Sequence, residues 1–229
     1  MRSPIIPLLP LFCLAALPAG AMTLKSTDIR EGESMDKVFS FNGFGCSGEN
    51  RSPQLSWQSL PAGTQSVAIT AYDPDAPTGS GWWHWLVVNL PASQSELPSN
   101  ASGKIKQGLE LGTDYGIQGY GGPCPPAGHG MHRYQFTVWA LPKALEVKAN
   151  TPPAMVGYML NSLALGKATL TALSPPPRSP PDEHAPAATE SLLRDPPAAP
   201  APGAHLRADP HLGAAGPQAA VVAGAAPLL

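Results

Sequence analysis

Two-residue alternation, broken by prolines and glycines, is the dominant pattern along the chain. His132 to Leu141 (HRYQFTVWAL) shows it best: His132, Tyr134, Phe136 and Val138 share one face, and Arg133, Gln135 and Thr137 the other. Ser66 to Tyr72 (SVAITAY) is rich in strand formers and stops at Asp73-Pro74. Trp82 to Leu90 (WWHWLVVNL) is almost continuously apolar, the pattern of a strand covered on both faces. Gln54 to Trp57 and Lys167 to Leu173 read as a short strand and a closing strand. One segment has helical spacing. Thr151 is placed to cap it, Pro152 suits its first turn, Met155, Met159 and Leu163 recur every four residues, and Gly166 is placed to end it. Residues 91–131 promise little regular structure. The expectation is a mainly β domain.

Both ends of the chain break this pattern. Arg2, the apolar stretch Ile5 to Leu17 and Ala19-Gly20-Ala21 have the order of a secretory leader with an A-x-A cleavage site. Residues 1–21 are therefore expected to be removed, leaving Met22 first. Cys13 lacks the small neighbours of a lipoprotein site. Residues 174–229 hold 13 Pro and 15 Ala and no Phe, Trp or Tyr. Such a stretch cannot bury a core, and its prolines cannot join a ladder. It is expected to be disordered, whether as a spacer, an out-of-frame stretch or a partner-binding tail. The domain is then 22–173.

Composition narrows the function classes. The 229 residues include 29 Pro and 23 Gly, with only 13% charged residues and a formal charge of −2. Without a basic excess, neither nucleic acid nor an anionic membrane surface is an expected partner. No second apolar run is long enough to cross a bilayer. Two cysteines, Cys46 and Cys124, remain in the domain. In an exported domain such a pair most often forms one disulfide; two free thiols or a metal pair are the alternatives.

The candidate chemistry lies at strand ends. AYDPDAPTGSGWWHW (71–85) puts Asp73 and Asp75 just after one strand and His84 at the start of the next. A hairpin-like turn would bring Asp75 and His84 together. Pro74 and Pro77 stiffen that loop, and X-Pro bonds in tight loops are where cis peptides occur. GHGMHRYQF places His132 at the start of another strand. Each residue also has a plainer reading, as a turn-forming aspartate or a hydrogen-bonded core histidine. No phosphate loop, zinc spacing or nucleophile elbow is present.

Taken together, D-P-D-A-P, then H-W-L-V-V-N, then G-P-C-P-P-x-G followed by H-R-Y, with FNGFGCSGENRSPQLSW (41–57) upstream, resemble the phosphatidylethanolamine-binding protein family. The likeness spans about 24–173 and is greatest to the bacterial branch called Raf kinase inhibitor-like. The resemblance implies a large central antiparallel sheet packed on a second sheet, with few helices and a small anion-binding pocket at one end of the sheet. It assigns Asp75 as the pocket aspartate and His84 and His132 as the pocket histidines. Asp73 and Pro74 match the start of that loop, and Tyr120 and the stretch from Gly121 through Gly122 and Pro123 to Pro126 match the rim. A Cys inside the rim looks like exported members and fits a Cys46–Cys124 bridge. The C-terminal helix of many eukaryotic members has no counterpart.

The leading functional expectation is a binding protein for a small anion or phosphate-bearing headgroup that modulates or inhibits an unknown protein partner. In that reading Asp75 orients one histidine. A metal- or His/Asp-assisted phosphoester hydrolase, and an export domain with a vestigial pocket, are the alternatives. With no separate nucleophile apparent, an enzyme is not the expectation, and no cofactor or resident metal is expected. Periplasmic location is expected, with secretion the alternative; the sequons at Asn50 and Asn100 matter only in a eukaryotic secretory route.

Overall fold

The computed structural model describes residues 20–177. All but the last two residues of the expected leader (1–21), and the Pro/Ala-rich segment from 178 onward, lie outside the described residues. The strands in chain order are β1 (Thr23–Lys25), β2 (Asn42–Gly43), β3 (Cys46–Ser47), β4 (Leu55–Gln58), β5 (Ser66–Asp73), β6 (Trp82–Pro91), β7 (Glu96–Leu97), β8 (Leu109–Glu110), β9 (His132–Leu141) and β10 (Gly166–Ser174), with one α-helix, α1 (Pro153–Leu163), before the last. A five-stranded antiparallel sheet has the order β10-β9-β5-β6-β8, and a three-stranded sheet the order β1-β4-β7; β2 and β3 form a separate hairpin.

Alternation explains how the large sheet is covered on both sides. Val67, Ile69 and Ala71 of β5, Trp85 and Val87 of β6, and Tyr134, Phe136 and Val138 of β9 enter one buried cluster with Leu55, Trp57 and Leu97 of the smaller sheet. The intervening residues Ala68, Leu86, Val88, Trp139 and Leu141 enter a second cluster beneath α1. Each large apolar side chain so buried contributes about 1.5–3 kcal/mol before conformational entropy is charged against it. Residues 91–131 carry only the two-residue strands β7 and β8, in line with their turn-rich sequence.

The helix departs from expectation in its face and its caps. Val156, Gly157 and Leu160 are its buried residues, while Met155 is 53% exposed and Leu163 38%. Gly157 decides the orientation: a Cβ there would stand 2.5 Å from the Trp83 ring, so the helix rests its bare backbone on that indole. Pro152, not Thr151, is the N-cap, and it makes no side-chain cap bond. The Thr151 hydroxyl accepts the Lys148 N–H instead. Gly166 does not end the helix; Ala164 is the C-cap, its N–H bonded to the Leu160 carbonyl, and Gly166 opens β10.

Register then gathers the chemistry. Asp73 lies opposite Trp82 across the β5–β6 pair, and Tyr72 lies opposite Gln135 across the β5–β9 pair. The end of β5 and the starts of β6 and β9 therefore meet at one end of the large sheet.

Candidate functional site

At that end a cavity of about 370 Å³ opens. Its floor carries Asp73, His84, His132 and Tyr134; its walls are Trp82, Tyr115, Ala76, Pro77, Pro125 and Pro126; Phe44 stands at its lip. Polar groups thus cluster in an otherwise largely apolar hollow, the usual composition of a small-molecule site.

The two histidines are held alike. The Nδ1–H of His132 donates to Asp73 Oδ2 at 2.8 Å, and both side chains are almost fully buried. The Nδ1–H of His84 donates to the Gly121 carbonyl at 2.7 Å. Neither Nε2 has a hydrogen-bond partner among the described residues, nor is either one of the fully enclosed orphan atoms, which are Trp57 Nε1, Ser66 Oγ and Trp82 Nε1. Both Nε2 atoms belong to rings that line the cavity. Burial pushes the His84 imidazole down to about 4, against smaller upward pulls from the Gly121 carbonyl and Asp73. His84 is therefore neutral at pH 7. Tyr115 and Tyr134 clamp its ring edge-on, with centroids 5.4 and 5.0 Å away. Burial raises both tyrosine hydroxyls well above their usual range, so they remain protonated.

The aspartate that orients a histidine is Asp73, which corrects the expected pairing of Asp75. Asp73 uses its second oxygen to accept the Asp75 N–H, closing a turn around Pro74. Every peptide bond among the described residues is trans, so the expected cis proline is not found; the carboxylate-capped turn reverses the chain without it. Asp75 faces away from His84 and binds Arg133 through both guanidinium contacts, at 2.9 and 2.7 Å, and through its backbone N–H. The Arg133 hydrogen bonds hold the Asp75 carboxyl down at about 2. Asp75 thus fastens the 73–78 loop to β9 and does not line the cavity.

The rim residues divide in the same way. Cys124, Pro125 and Pro126 line the cavity, but Pro74, Tyr120, Gly122 and Pro123 do not. Tyr120 is buried beneath, its hydroxyl donated to the Phe39 carbonyl. Gly122 is a point of close approach: a Cβ there would lie 2.1 Å from the Phe39 carbonyl oxygen. Pro123 lines a neighbouring hollow and accepts the Phe41 N–H. Asn50 clamps this loop by donating to the Tyr120 carbonyl and accepting the Gly122 N–H. It is a structural residue that sequence reading saw only as a sequon.

Cys46 and Cys124 form a disulfide with a Cα separation of 5.9 Å. It joins the β2–β3 hairpin to the rim and so fixes Phe44, which is 78% exposed with a positive φ of 53°. Phe41 and Tyr115 stack with centroids 4.2 Å apart, and Phe44 lies 5.8 Å from each. Tyr115 and Phe44 were not expected at the site. Their sequence neighbourhoods, TDYGIQ and GFGC, carry no charge-relay or ligand signal; only the aromatic in a glycine-flanked turn could have pointed to Phe44.

Among the described residues no group of three His, Cys, Asp or Glu is placed to hold a metal ion. Asp73 spends both oxygens on protein donors, which makes it a positioning group for His132.

The comparisons with known proteins agree with this architecture. The family model described as phosphatidylethanolamine-binding protein matches residues 25–174. The UPF0098 protein YbcL of Escherichia coli K12 is 44% identical over 177 residues, covering 75% of this chain and 97% of that protein. UPF0098 protein YbhB of the same organism is 46% identical over 157 residues, covering 66% and 99%. A protein named putative lipoprotein LppC, from Mycobacterium tuberculosis, is 38% identical over 128 residues, or 56% of this chain and 61% of that one. The crystal structure of YbcL, described as a new member of the mammalian PEBP family, superposes with a TM-score of 0.66 over 68% of this chain and 99% of that one.

Proposed function

The chain belongs to the phosphatidylethanolamine-binding protein family, and from that premise we propose that its cavity binds a small anion or a phosphate-bearing group. The observation that carries this reading is the pair of imidazoles whose Nδ1 atoms are tied to Gly121 and Asp73 while both Nε2 atoms are left free in a hollow of about 370 Å³. Rings fixed in this way are pre-organised: nothing need rotate when an oxygen-rich ligand arrives. The apolar walls strengthen each polar contact by excluding water.

The exposed Phe44 at the lip supports a second element of the proposal, a protein partner whose activity the loaded or empty site modulates. Export to the bacterial envelope is also proposed. It is supported by the leader-like pattern of 1–21, by the disulfide, and by the lipoprotein name of one relative.

Calorimetric titration of the chain with inorganic phosphate and with phosphoethanolamine tests the binding reading, beside a His84→Ala/His132→Ala double variant. Saturable binding that weakens at least tenfold in the variant is expected. Equal binding by both proteins would remove the histidines from the site.

A further inference from the structure

The Cys46–Cys124 disulfide lies between two recesses. Cys46 lines an outer hollow of about 580 Å³, together with Lys37, Gly45, Ser47 and Pro123. Cys124 lines the cavity of about 370 Å³, beside Phe44, Pro125 and Pro126. Both cysteines are half-buried. Each end of the bridge is thus reached from its own recess.

The two ends differ in how well they hold negative charge. In thiol–disulfide exchange a thiolate attacks one sulfur and the other departs as a thiolate, faster when its surroundings stabilise the anion. Cys124 Sγ lies 3.6 Å from both the Gly43 and the Phe44 carbonyl oxygens. The next two residues, Pro125 and Pro126, have no N–H to offer. A thiolate at Cys124 would therefore face oxygen lone pairs. Cys46 instead shares its hollow with Lys37, an exposed lysine that makes no ion pair among the described residues. A nearby ammonium favours the thiolate form. Cys46 is thus the better leaving group, and Cys124 the sulfur that is attacked.

We propose that Cys124 is a thiolation site: a low-molecular-weight thiol enters the cavity, forms a mixed disulfide with Cys124 and releases Cys46. One S–S bond breaks and one forms. The negative charge passes from the incoming sulfur to Cys46, and no oxidant is needed. The cavity holds on the order of ten water volumes, room for a thiol the size of an amino acid. The adduct occupies the space that a bound ligand would use, so thiol and ligand exclude each other. Reversal is built in. The Phe41 N–H bonds to the Pro123 carbonyl and the Gly48 N–H to the Phe41 carbonyl, which keeps the foot of the hairpin beside the rim when the bridge is open. Cys46 stays within reach of Cys124 and can expel the thiol, while Phe44 at the hairpin tip is meanwhile released from its covalent tie. None of this depends on which ligand the cavity otherwise holds.

The test incubates the whole chain, in its disulfide form and without denaturant, with free cysteine at pH 7.5. Samples are quenched in acid at early times, alkylated with N-ethylmaleimide and mapped by peptide mass spectrometry. The expected product carries cysteine on Cys124 and maleimide on Cys46, in at least tenfold excess over the opposite arrangement. Lys37→Gln, an exposed substitution, is expected to slow the exchange about threefold, while Lys104→Gln, in a different hollow, leaves it unchanged. Ala76→Phe, which narrows the cavity, is expected to slow it at least fivefold. Adducts mainly on Cys46, equal labelling of the two cysteines, or no adduct until the protein is unfolded would each overturn the proposal. Equal rates for the wild type and a folded Ala76→Phe variant would do the same, since the thiol would then not arrive through the cavity.

Discussion

At the scale of single residues, function here depends on which of two neighbouring acids faces inward. Asp73 and Asp75 are two apart, and an extended chain would point them the same way. The turn at Pro74 separates them: Asp73 stays with His132 inside, and Asp75 pairs with Arg133 outside. Asp73→Asn is therefore expected to destabilise the protein by roughly 1–3 kcal/mol, as disrupting a buried hydrogen bond to a carboxylate does, and to weaken phosphate binding. Asp75→Asn removes a partly exposed pair and is expected to cost less than about 1 kcal/mol, with affinity nearly unchanged. Urea denaturation and calorimetry on the two variants check both statements. His84 gives a pH signature of its own. Its folded pKa of about 4 lies below that of the unfolded chain, so the unfolded state binds the proton first as pH falls. Stability attributable to this residue should be intact above pH 6.5 and fall by about 3 kcal/mol by pH 4. His84→Gln should flatten that part of the denaturation profile; a wild-type profile already flat between 6.5 and 4 would contradict the assignment.

At the scale of elements, the long strands were legible because burial and backbone period agree there. The expected spans 66–72, 82–90 and 167–173 lie within β5, β6 and β10, and 132–141 coincides with β9. The helix was legible as a helix but not in its orientation. A four-residue repeat of Met155, Met159 and Leu163 competes with Val156 and Leu160 one position on, and hydrophobicity alone does not rank them. The contact between Gly157 and Trp83 ranks them, and that contact joins residues 74 positions apart. Leu160→Ala is accordingly expected to cost about 2–5 kcal/mol and Met155→Ala within about 0.5 kcal/mol, measured by chemical denaturation. A larger loss for Met155 would place the opposite face of α1 on the sheet.

At the scale of the whole molecule, the disulfide is a long-range covalent tie between two otherwise separate segments. It spans 78 positions and ties a hairpin of two-residue strands to the cavity rim. The chain-entropy estimate for such a loop is about 4.5 kcal/mol, an upper figure for what Cys46→Ser/Cys124→Ser should lose. Thermal melting of wild type with and without reductant measures it. Because Phe44 and Cys124 sit at the cavity, the same variant should bind phosphate more weakly even at temperatures where it remains folded; unchanged affinity would mean the rim holds its shape without the bridge.

The amino-acid order by itself determined the β architecture, the likeness to the family over 25–174 and a candidate set holding both Asp73 and Asp75 beside His84 and His132, of which Asp73, His84 and His132 reach the cavity. These follow from period, punctuation and motif, which are properties of neighbouring residues. Only the tertiary structure decided which aspartate orients a histidine, that Gly121 sets the tautomer of His84, that Asn50 clamps the rim, and that Tyr115 and Phe44 complete the walls. Each of these is a contact between segments at least 30 residues apart. Its partner is chosen by strand register and by the space left after the core has packed, and neither quantity is written in any short stretch of the chain.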